Sequence, residues 1–211
     1  MAAKKQTARD RESALKKAKI YQVAISLFKE YGYDNTTMDD ICEASGMSKG
    51  SIYHFFSKKI DLIHNFFEEL NKRSIADLEI NDKNLDNPAA VLLNHCIDVA
   101  SAYEQIGFDL SVQMHDFYKG SAESANFVPN VVKFITAAQE KGTIHGEVNA
   151  VEIANCIHIA VAGTFRKWIL DSAGYSFTDA AKWFLPIMIN LFVDEKYKIE
   201  QGPCPDRFRK L

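Results

Sequence analysis

Glycine and proline are scarce in this chain: they supply 10 and 5 of its 211 residues, about 7% together. Proteins on average hold nearer ~12%, so turns are few and the composition favours helix. Long apolar runs are also missing. The longest, residues 184–193, is interrupted by Pro186 and Asn190 and falls well short of the ~18 apolar residues of a membrane span. We therefore expect no membrane partner.

Cysteine is sparse and scattered, at Cys42, Cys96, Cys156 and Cys204. This spacing matches neither a disulfide framework nor a metal-ligand motif, so we expect no metal and no cofactor. The first residues are basic, but no apolar segment follows them as in a secretory signal. We therefore expect a cytoplasmic protein with reduced thiols.

Catalytic motifs are absent as well. The sequence holds no G-x-S-x-G, H-E-x-x-H, P-loop or G-x-G-x-x-G pattern, and each of these arranges the groups that its chemistry needs. Asp98, Asp109 and Asp116 could form a carboxylate cluster, but solvated helix faces explain them more simply. We predict that the protein is not an enzyme and has no catalytic residues.

The net charge of −3 conceals an uneven distribution. Residues 1–59 carry 11 Lys and Arg against 7 Asp and Glu, a net +4, whereas the remainder carries 14 basic and 21 acidic residues, a net −7. A basic head on an acidic body suggests an anionic partner for the head alone.

Apolar residues recur at helical spacing through most of the chain. We predict an all-α fold of about nine helices, in which a short N-terminal unit of three helices precedes a larger helical body. The predicted boundaries are a flexible arm over 1–12, the N-terminal unit over 13–60, the helical body over 61–198 and a disordered tail over 199–211.

Residues 36–56 (TTMDDICEASGMSKGSIYHFF) meet the demands of a helix-turn-helix. Thr37 and Ser48 can cap two short helices. Gly46 tolerates the positive φ of a tight turn, and Cys42 is small enough for the helices to approach. Ile41, Met47, Ile52 and Phe55 are spaced to join the pair from inside. The second helix would then lie in the major groove of DNA.

Residues 14–62 resemble the N-terminal domain of TetR/AcrR-type transcriptional regulators. The resemblance rests on Tyr31-Gly32, Thr36-Thr37, Ile41-Cys42, Ser45-Gly46-Met47-Ser48, Tyr53 with Phe56, Lys59, and Asp61-Leu62. The departures are mild: Cys42 and Ser45 stand in place of alanines, and Met47 in place of valine. The resemblance implies a DNA-binding regulator whose common mode is repression. It also implies that residues 13–60 are a three-helix helix-turn-helix DNA-binding domain and that residues 61–198 are a C-terminal helical ligand-binding and dimerisation domain.

The resemblance and the helix geometry together assign DNA-contacting residues. Ser48, Lys49, Gly50, Ser51 and His54 begin the second helix or face outward on it. Tyr53 and Lys59 look like the family's phosphate-binding tyrosine and lysine, and Thr37 caps a helix N-terminus that suits a phosphate. The arm with Lys4, Lys5, Arg9 and Arg11 could add contacts to the minor groove or the backbone. Two alternatives stay open: Tyr53 as a half-buried core aromatic, and the arm as plain disorder.

Specific binding by one helix-turn-helix usually requires a homodimer on a palindromic operator. The last two helices carry apolar stripes suited to pairing, and the resemblance implies a four-helix interface. The residues that we expect there are Val151, Ala154, Val161, Phe184, Met188 and Leu191. The alternative is that both stripes are internal core.

The resemblance also implies an effector pocket in the body, for which the sequence supplies aromatic and soft apolar residues. Our candidates are Phe66, Phe67, Tyr103, Phe108, Met114, Phe117, Phe134, His158 and Trp168. Few charges lie among them, so we expect a mainly apolar or aromatic small molecule that releases the protein from its operator. Two alternatives remain: each residue may instead belong to the core, and the regulator may have no small-molecule effector.

Overall fold

The computed structural model describes residues 8–65, 78–118 and 127–210, and these are helical with no strand among them. The helices are α1 (Ala8–Tyr31), α2 (Met38–Ser45), α3 (Lys49–Phe55), α4 (59–65 in its described part), α5 (Asp82–Leu85), α6 (Pro88–Ile106), α7 (Phe108–Tyr118), α8 (Phe127–Glu140), α9 (Ala150–Leu170) and α10 (Phe177–Ile189). The chain divides into two compact units, Met1–Glu69 and Leu70–Leu211. The all-α prediction is confirmed for the described residues.

In the N-terminal unit, α1 begins earlier than we predicted. The expected arm extended to residue 12, but the helix starts at Ala8. Asp10 lies in its first turn, where a carboxylate is stabilised by the helix dipole. Lys16 also donates to Glu12 at 2.7 Å across one turn. These local interactions favour helix where composition alone suggested a mobile arm.

The helix-turn-helix forms through the caps that the sequence predicts. Thr37 and Asp40 make a capping box at the start of α2. Gly46 follows α2 with φ of 67°, a left-handed conformation that a side chain would strain. Ser48 accepts from the N–H of Ser51 at the start of α3. The turn is therefore fixed by its own residues.

The core of the N-terminal unit consists of large side chains from all four of its helices and the segments between them. Its fully buried members include Ile20, Ala24, Ile41, Ile52, Phe56, Leu62 and Ile63. Along α1, Ile20 is buried, whereas Ala18 and Tyr31 are exposed. This core holds α3 at the surface by one buried side, that of Ile52.

In the C-terminal unit, α10 packs on α6 and α9, and α8 packs on α9. Glu104 near the end of α6 stabilises this arrangement through its carboxylate. It accepts from the Phe177 N–H and from the Thr178 hydroxyl, each at 2.5 Å, and so caps the first turn of α10. The unit therefore joins helices that are distant in sequence.

The C-terminal segment differs from our prediction of a disordered tail over 199–211. Pro186 lies inside α10 and has no N–H, so the carbonyl of Lys182 lacks its usual helical donor. The N–H of Gly202 donates to that carbonyl at 3.0 Å. The side chain of Asn190 also exchanges two hydrogen bonds with the backbone of Ile199, at 2.9 and 3.0 Å.

Beyond these contacts, the segment crosses from α10 to the end of α9. The Phe208 ring lies 5.0 Å from that of Tyr175 and 5.2 Å from that of Trp183. Arg207 donates to the carbonyl of Asp171 at 3.1 Å. We call residues 199–208 the C-terminal strap. The composition of this segment suggests disorder. The strap is ordered nonetheless, because its backbone pairs with polar groups of α10 such as the Lys182 carbonyl.

Among the described residues, no helix is both long enough and apolar enough to cross a membrane.

Candidate nucleic-acid interface

The N-terminal end of α3 is open and polar. Ser48 and Ser51 are exposed, and their hydroxyls are 3.1 Å apart. A Cβ built on Gly50 would meet no atom within 4 Å. Small polar side chains and bare backbone therefore form a surface to which another molecule can approach closely.

A groove of about 660 Å³ lies between this end of α3 and the first turns of α1. Its lining residues are Arg9, Glu12, Ser13, Lys16, Ser48, Gly50, Ser51, His54 and Phe55. Four of our predicted DNA-binding residues, Ser48, Gly50, Ser51 and His54, thus share one concave surface. Arg9 and Lys16 add positive charge to it, as contacts to phosphate require.

His54 lines this groove, and Tyr53 precedes it on α3. Tyr53 is 48% exposed, so it is half-buried and its exposed half can contact a partner. His54 is exposed, and its ring meets that of Phe55 edge to face at 5.1 Å. Both side chains are accessible to a ligand on this face.

Lys49, the first residue of α3, forms an ion pair across the helix-turn-helix. Its Nζ lies 2.7 Å from Oδ2 of Asp39 in the first turn of α2. The carboxylate of Asp39 raises the pKa of the Lys49 ammonium, which therefore stays charged. The side chains are 64% and 62% exposed, so the pair belongs to the surface.

Lys59 has a different environment from the one that its phosphate-binding assignment suggests. Its ammonium donates to the carbonyl of Tyr33 and, at 2.9 Å, to that of Thr36. It also lies 4.1 Å from the centre of the Tyr33 ring. Partial burial lowers the pKa of Lys59. In this geometry the side chain joins the start of α4 to the loop between α1 and α2.

Thr37 is occupied by its capping interaction. Its N–H and its hydroxyl each lie 2.7 Å from Oδ2 of Asp40, and its Oγ accepts from the Asp40 N–H. These hydrogen bonds lower the pKa of Asp40. A phosphate at this helix end would meet a carboxylate, so the geometry favours Thr37 as a cap.

Sequence reasoning missed Glu12, Ser13, Lys16 and Asp39 on this face. Ser13 lies four residues after Arg9, and Lys16 lies three residues after Ser13, which places all three on one side of a helix. That signal was available once α1 was extended to Ala8. Asp39 could not be found in this way, because its contact depends on the angle between α2 and α3.

The predicted effector residues fall into two groups. Phe66 and Phe67 lie outside the described residues, as do the side chains of Met114 and Phe117. Tyr103, Phe108 and Trp168 pack with Phe165 and Phe177 in one aromatic cluster. Ring centres are 4.4 Å apart for Tyr103 and Phe165, 5.5 Å for Phe108 and Trp168, and 5.7 Å for Trp168 and Phe177.

Burial is high in and around this cluster. Phe134 is fully buried, Trp168 is nearly so, and the Trp168 indole N–H donates to the Tyr175 carbonyl at 3.0 Å. Burial raises the pKa of Tyr103 to about 12. It also lowers the pKa of His158, which is half-buried on α9. Phe134 and Trp168 belong to the buried core of the unit, and Tyr103 packs against it.

The predicted dimer residues are divided between surface and core. Val151 and Leu191 are exposed, and Val161, Phe184 and Met188 are partly buried. Ala154 is a correction: it is fully buried within the protomer, so its side chain cannot contact a partner. Exposed apolar residues that we did not predict are Ile159, Leu170 and Ile187.

Comparisons with known proteins agree with this geometry. Residues 20–65 match the family described as bacterial regulatory proteins, tetR family. The "Probable acrEF/envCD operon repressor" of Escherichia coli (strain K12) is 20% identical over 213 residues, covering 89% of this chain and 92% of that protein.

Solved structures share the whole fold. The structure of SmeT, described as the repressor of the Stenotrophomonas maltophilia multidrug efflux pump SmeDEF, has a TM-score of 0.68 and 17% identity, and covers 90% of this chain and 96% of that one. A SmeT–triclosan complex has a TM-score of 0.66 and 14% identity, with 91% and 100% covered. The matched N-terminal domain, the full-length relative and the fold agree with the resemblance that the helix-turn-helix residues showed. Residues 20–65 therefore match the DNA-binding domain of the tetR family of bacterial regulatory proteins, and the chain as a whole shares the fold of TetR/AcrR-type regulators.

Proposed function

We propose that the protein is a sequence-specific repressor that binds a palindromic operator as a homodimer and is released by a small, mainly apolar or aromatic effector. The observation that carries the proposal is the open N-terminal end of α3 beside a groove that holds Arg9 and Lys16. This combination offers small groups to base edges and cations to the flanking phosphates. The relatives named as repressors support the direction of regulation.

Phosphate contacts dominate the affinity in this account. Ser48, Gly50 and Ser51 offer few side chains that could read a base with two hydrogen bonds, whereas Arg9, Lys16 and Lys49 offer charge. Binding therefore weakens steeply with salt, by about 0.9 in log–log slope for each phosphate contacted. The α3 residues are the strongest candidates for contact with DNA. The full set that we propose is Thr37, Ser48, Lys49, Gly50, Ser51, Tyr53, His54 and Lys59.

Exposed apolar side chains on α9 and α10 support the homodimer. Val151, Ile159 and Leu170 are exposed on α9, and Ile187 and Leu191 on α10 and just after it. Gly163 on α9 has no atom within 4 Å of an added Cβ. A partner helix could therefore approach closely there. Exposed apolar surface of this kind is typical of protein interfaces.

An aspartate at Ile159 tests the dimer and its link to DNA binding. Ile159 is 67% exposed, so the Ile159→Asp variant should fold. We expect it to become monomeric in sedimentation experiments and to lose most of its affinity for operator DNA, because a charge in an apolar interface is unpaired. Ile80→Asp is the matched control, since Ile80 is also exposed but lies outside α9 and α10. A dimeric Ile159→Asp variant would overturn the proposed interface.

The aromatic character of the C-terminal unit supports an apolar effector. Tyr103, Phe108 and Trp168 lie in one aromatic cluster, and binding sites for such ligands are mostly lined by apolar and aromatic side chains. One relative of the same fold has been solved with triclosan. An effector acts by binding better to the form that does not bind DNA, which shifts the population.

A regulator without a small-molecule effector is the second candidate. It is favoured by the contacts within the aromatic cluster, where Tyr103, Phe165 and Trp168 pack ring against ring. Rings that are satisfied in this way offer little surface to a ligand unless they separate.

Melting and DNA binding with the same compounds distinguish these candidates. We would use triclosan and a panel of apolar aromatic compounds of similar size. The effector proposal predicts that at least one compound raises the melting temperature and weakens operator binding at the same concentration. If no compound changes either measurement, the regulator without an effector is supported instead.

A further inference from the structure

We propose that Asp39 sets the specificity of DNA recognition by holding Lys49 in the free protein and by placing a carboxylate against the phosphate backbone. This inference rests on the proposed function, because it concerns how the same face discriminates between DNA sequences. It assigns a role to a residue that binds no base and that the sequence pattern did not single out.

The geometry places Asp39 on the face that approaches DNA. Asp39 is in the first turn of α2, and its Oδ2 lies 2.7 Å from Nζ of Lys49, the first residue of α3. Lys49 is flanked by Ser48 and Gly50, which line the groove. Both charged side chains are more than half exposed. A duplex that contacts the start of α3 therefore meets the carboxylate together with the ammonium.

A second cation of this face is held in the same way. Nζ of Lys16 lies 2.7 Å from Oε1 of Glu12, and both residues line the groove. The carboxylate of Glu12 has a lowered pKa because of Lys16, so it is charged at neutral pH. The face thus presents cations that already have carboxylate partners, and its net positive charge is smaller than its count of lysines.

This pairing affects random and specific DNA differently. Binding to random sequence depends almost entirely on phosphates, so a carboxylate on the face lowers that affinity directly. Binding to the specific site also uses contacts to base edges, and an ammonium held by Asp39 starts from one fixed position at the end of α3. Asp39 therefore weakens random binding more than specific binding. Repulsion of an unwanted partner, here between the carboxylate and the phosphates of random DNA, is a common source of specificity.

Removing the charge of Asp39 tests the inference. We expect Asp39→Asn to raise affinity for a duplex of shuffled sequence severalfold at low salt. Its affinity for the sequence selected by the wild-type chain should rise less, so the ratio of the two falls. The salt slope should steepen by about 0.9, the value of one further phosphate contact, because Lys49 becomes available.

Two variants control for charge and position. Glu30→Gln removes the same charge from an exposed residue of α1, which lies ~21 Å along the helix from Lys16 at ~1.5 Å per residue. It should change neither the ratio nor the slope. Asp39→Glu retains the carboxylate, so its ratio of specific to random affinity should stay close to that of the wild-type chain. Melting of each variant would detect a purely structural role of Asp39, which is not expected to change the ratio of affinities or the salt slope.

The outcomes separate this inference from the proposed function. If the wild-type chain selects no sequence at all, the proposed function fails. If it selects a site, and Asp39→Asn changes the ratio and the salt slope no more than Glu30→Gln does, then the role of Asp39 is wrong while the repressor assignment stands.

Discussion

The face of the N-terminal unit and the interior of the C-terminal unit are built by opposite means. On the face, small side chains, helix caps and ion pairs such as that of Lys49 and Asp39 keep backbone and charge accessible. In the interior, rings such as those of Tyr103, Phe165 and Trp168 are packed against one another. The first region is accessible at the surface, whereas a ligand could enter the second only if these rings separated.

This difference determines how a partner can bind in each region. A surface that reads DNA can be fully formed in the free protein, since the duplex adds to it from outside. A ligand that enters a packed aromatic cluster pays for the separation of the rings, and this requirement is what would couple its binding to a change of shape. The comparison therefore rests on how tightly the cluster is packed.

Replacing Trp168 by alanine tests that packing most severely. Trp168 is nearly fully buried among aromatic rings and donates to the Tyr175 carbonyl. We expect the Trp168→Ala variant to lose about 3–5 kcal/mol of unfolding free energy, as large-to-small changes in cores do. Denaturant titration followed by circular dichroism measures this loss.

The second tryptophan provides the matched control. Trp183 is only partly buried, against Phe208 and Phe184, and Trp183→Ala should cost clearly less. If the Trp168→Ala variant were as stable as the wild-type chain, the Trp168 ring would not be tightly packed in the wild-type protein. The C-terminal interior would then be as open as the face of the N-terminal unit.

Lys59 tests whether the N-terminal unit is held by polar contacts. Its ammonium donates to the carbonyls of Tyr33 and Thr36, and a hydrogen bond to a charged group contributes about 1.5–3 kcal/mol. We expect Lys59→Met to lower the unfolding free energy of this unit by about 2 kcal/mol. Thermal melting and DNA binding well below the melting temperature would both be measured.

Lys58→Met serves as the comparison, since Lys58 is the exposed neighbour of Lys59 and carries the same charge. It should melt like the wild-type chain. A Lys59→Met variant that melts normally but binds DNA poorly would show that Lys59 acts on phosphate, as the family resemblance implies, and would contradict the structural role.

The smallest of these effects concerns the C-terminal strap. Asn190→Ala removes both hydrogen bonds to the backbone of Ile199. Leaving such groups without partners costs about 1–3 kcal/mol, and the strap's partial exposure favours the lower end. Hydrogen exchange should show faster exchange at the Ile199 and Gly202 amides. Asn94→Ala, an exposed change on α6, should leave those amides protected.

If the Asn190→Ala variant keeps both amides protected, the strap is held by Phe208 and Arg207 instead. Its order would then come from the aromatic contacts at the end of α9 rather than from α10.

Sequence alone predicted the N-terminal unit well because its signals are local. The capping residues Thr37 and Ser48 and the turn at Gly46 each act within four residues of themselves, and the structure has all three in those roles. Asp39 escaped prediction because its partner lies ten positions away on another helix. Lys59 was predicted to bind phosphate, but its contacts in the free protein were not foreseen, because its acceptors are carbonyls of a distant loop.

The C-terminal unit was predicted as helices but not as a site. Helical spacing shows that Trp168 and Phe134 face inward, and it cannot tell a packed interior from a pocket wall. The strap was mistaken for a disordered tail for a similar reason. The carbonyl that Pro186 leaves without a helical donor is invisible until the chain returns and the Gly202 N–H reaches it.

We propose that the face around α3 reads DNA and that the protein does so as a two-fold symmetric dimer. The decisive experiment is selection of bound duplexes from a random pool by the full chain, followed by sequencing. We expect enrichment of one sequence whose two halves are related by two-fold symmetry, with half-sites on the order of one helical turn apart or a multiple of it. A pool that remains random after repeated rounds, or an enriched site with no internal symmetry, would contradict it.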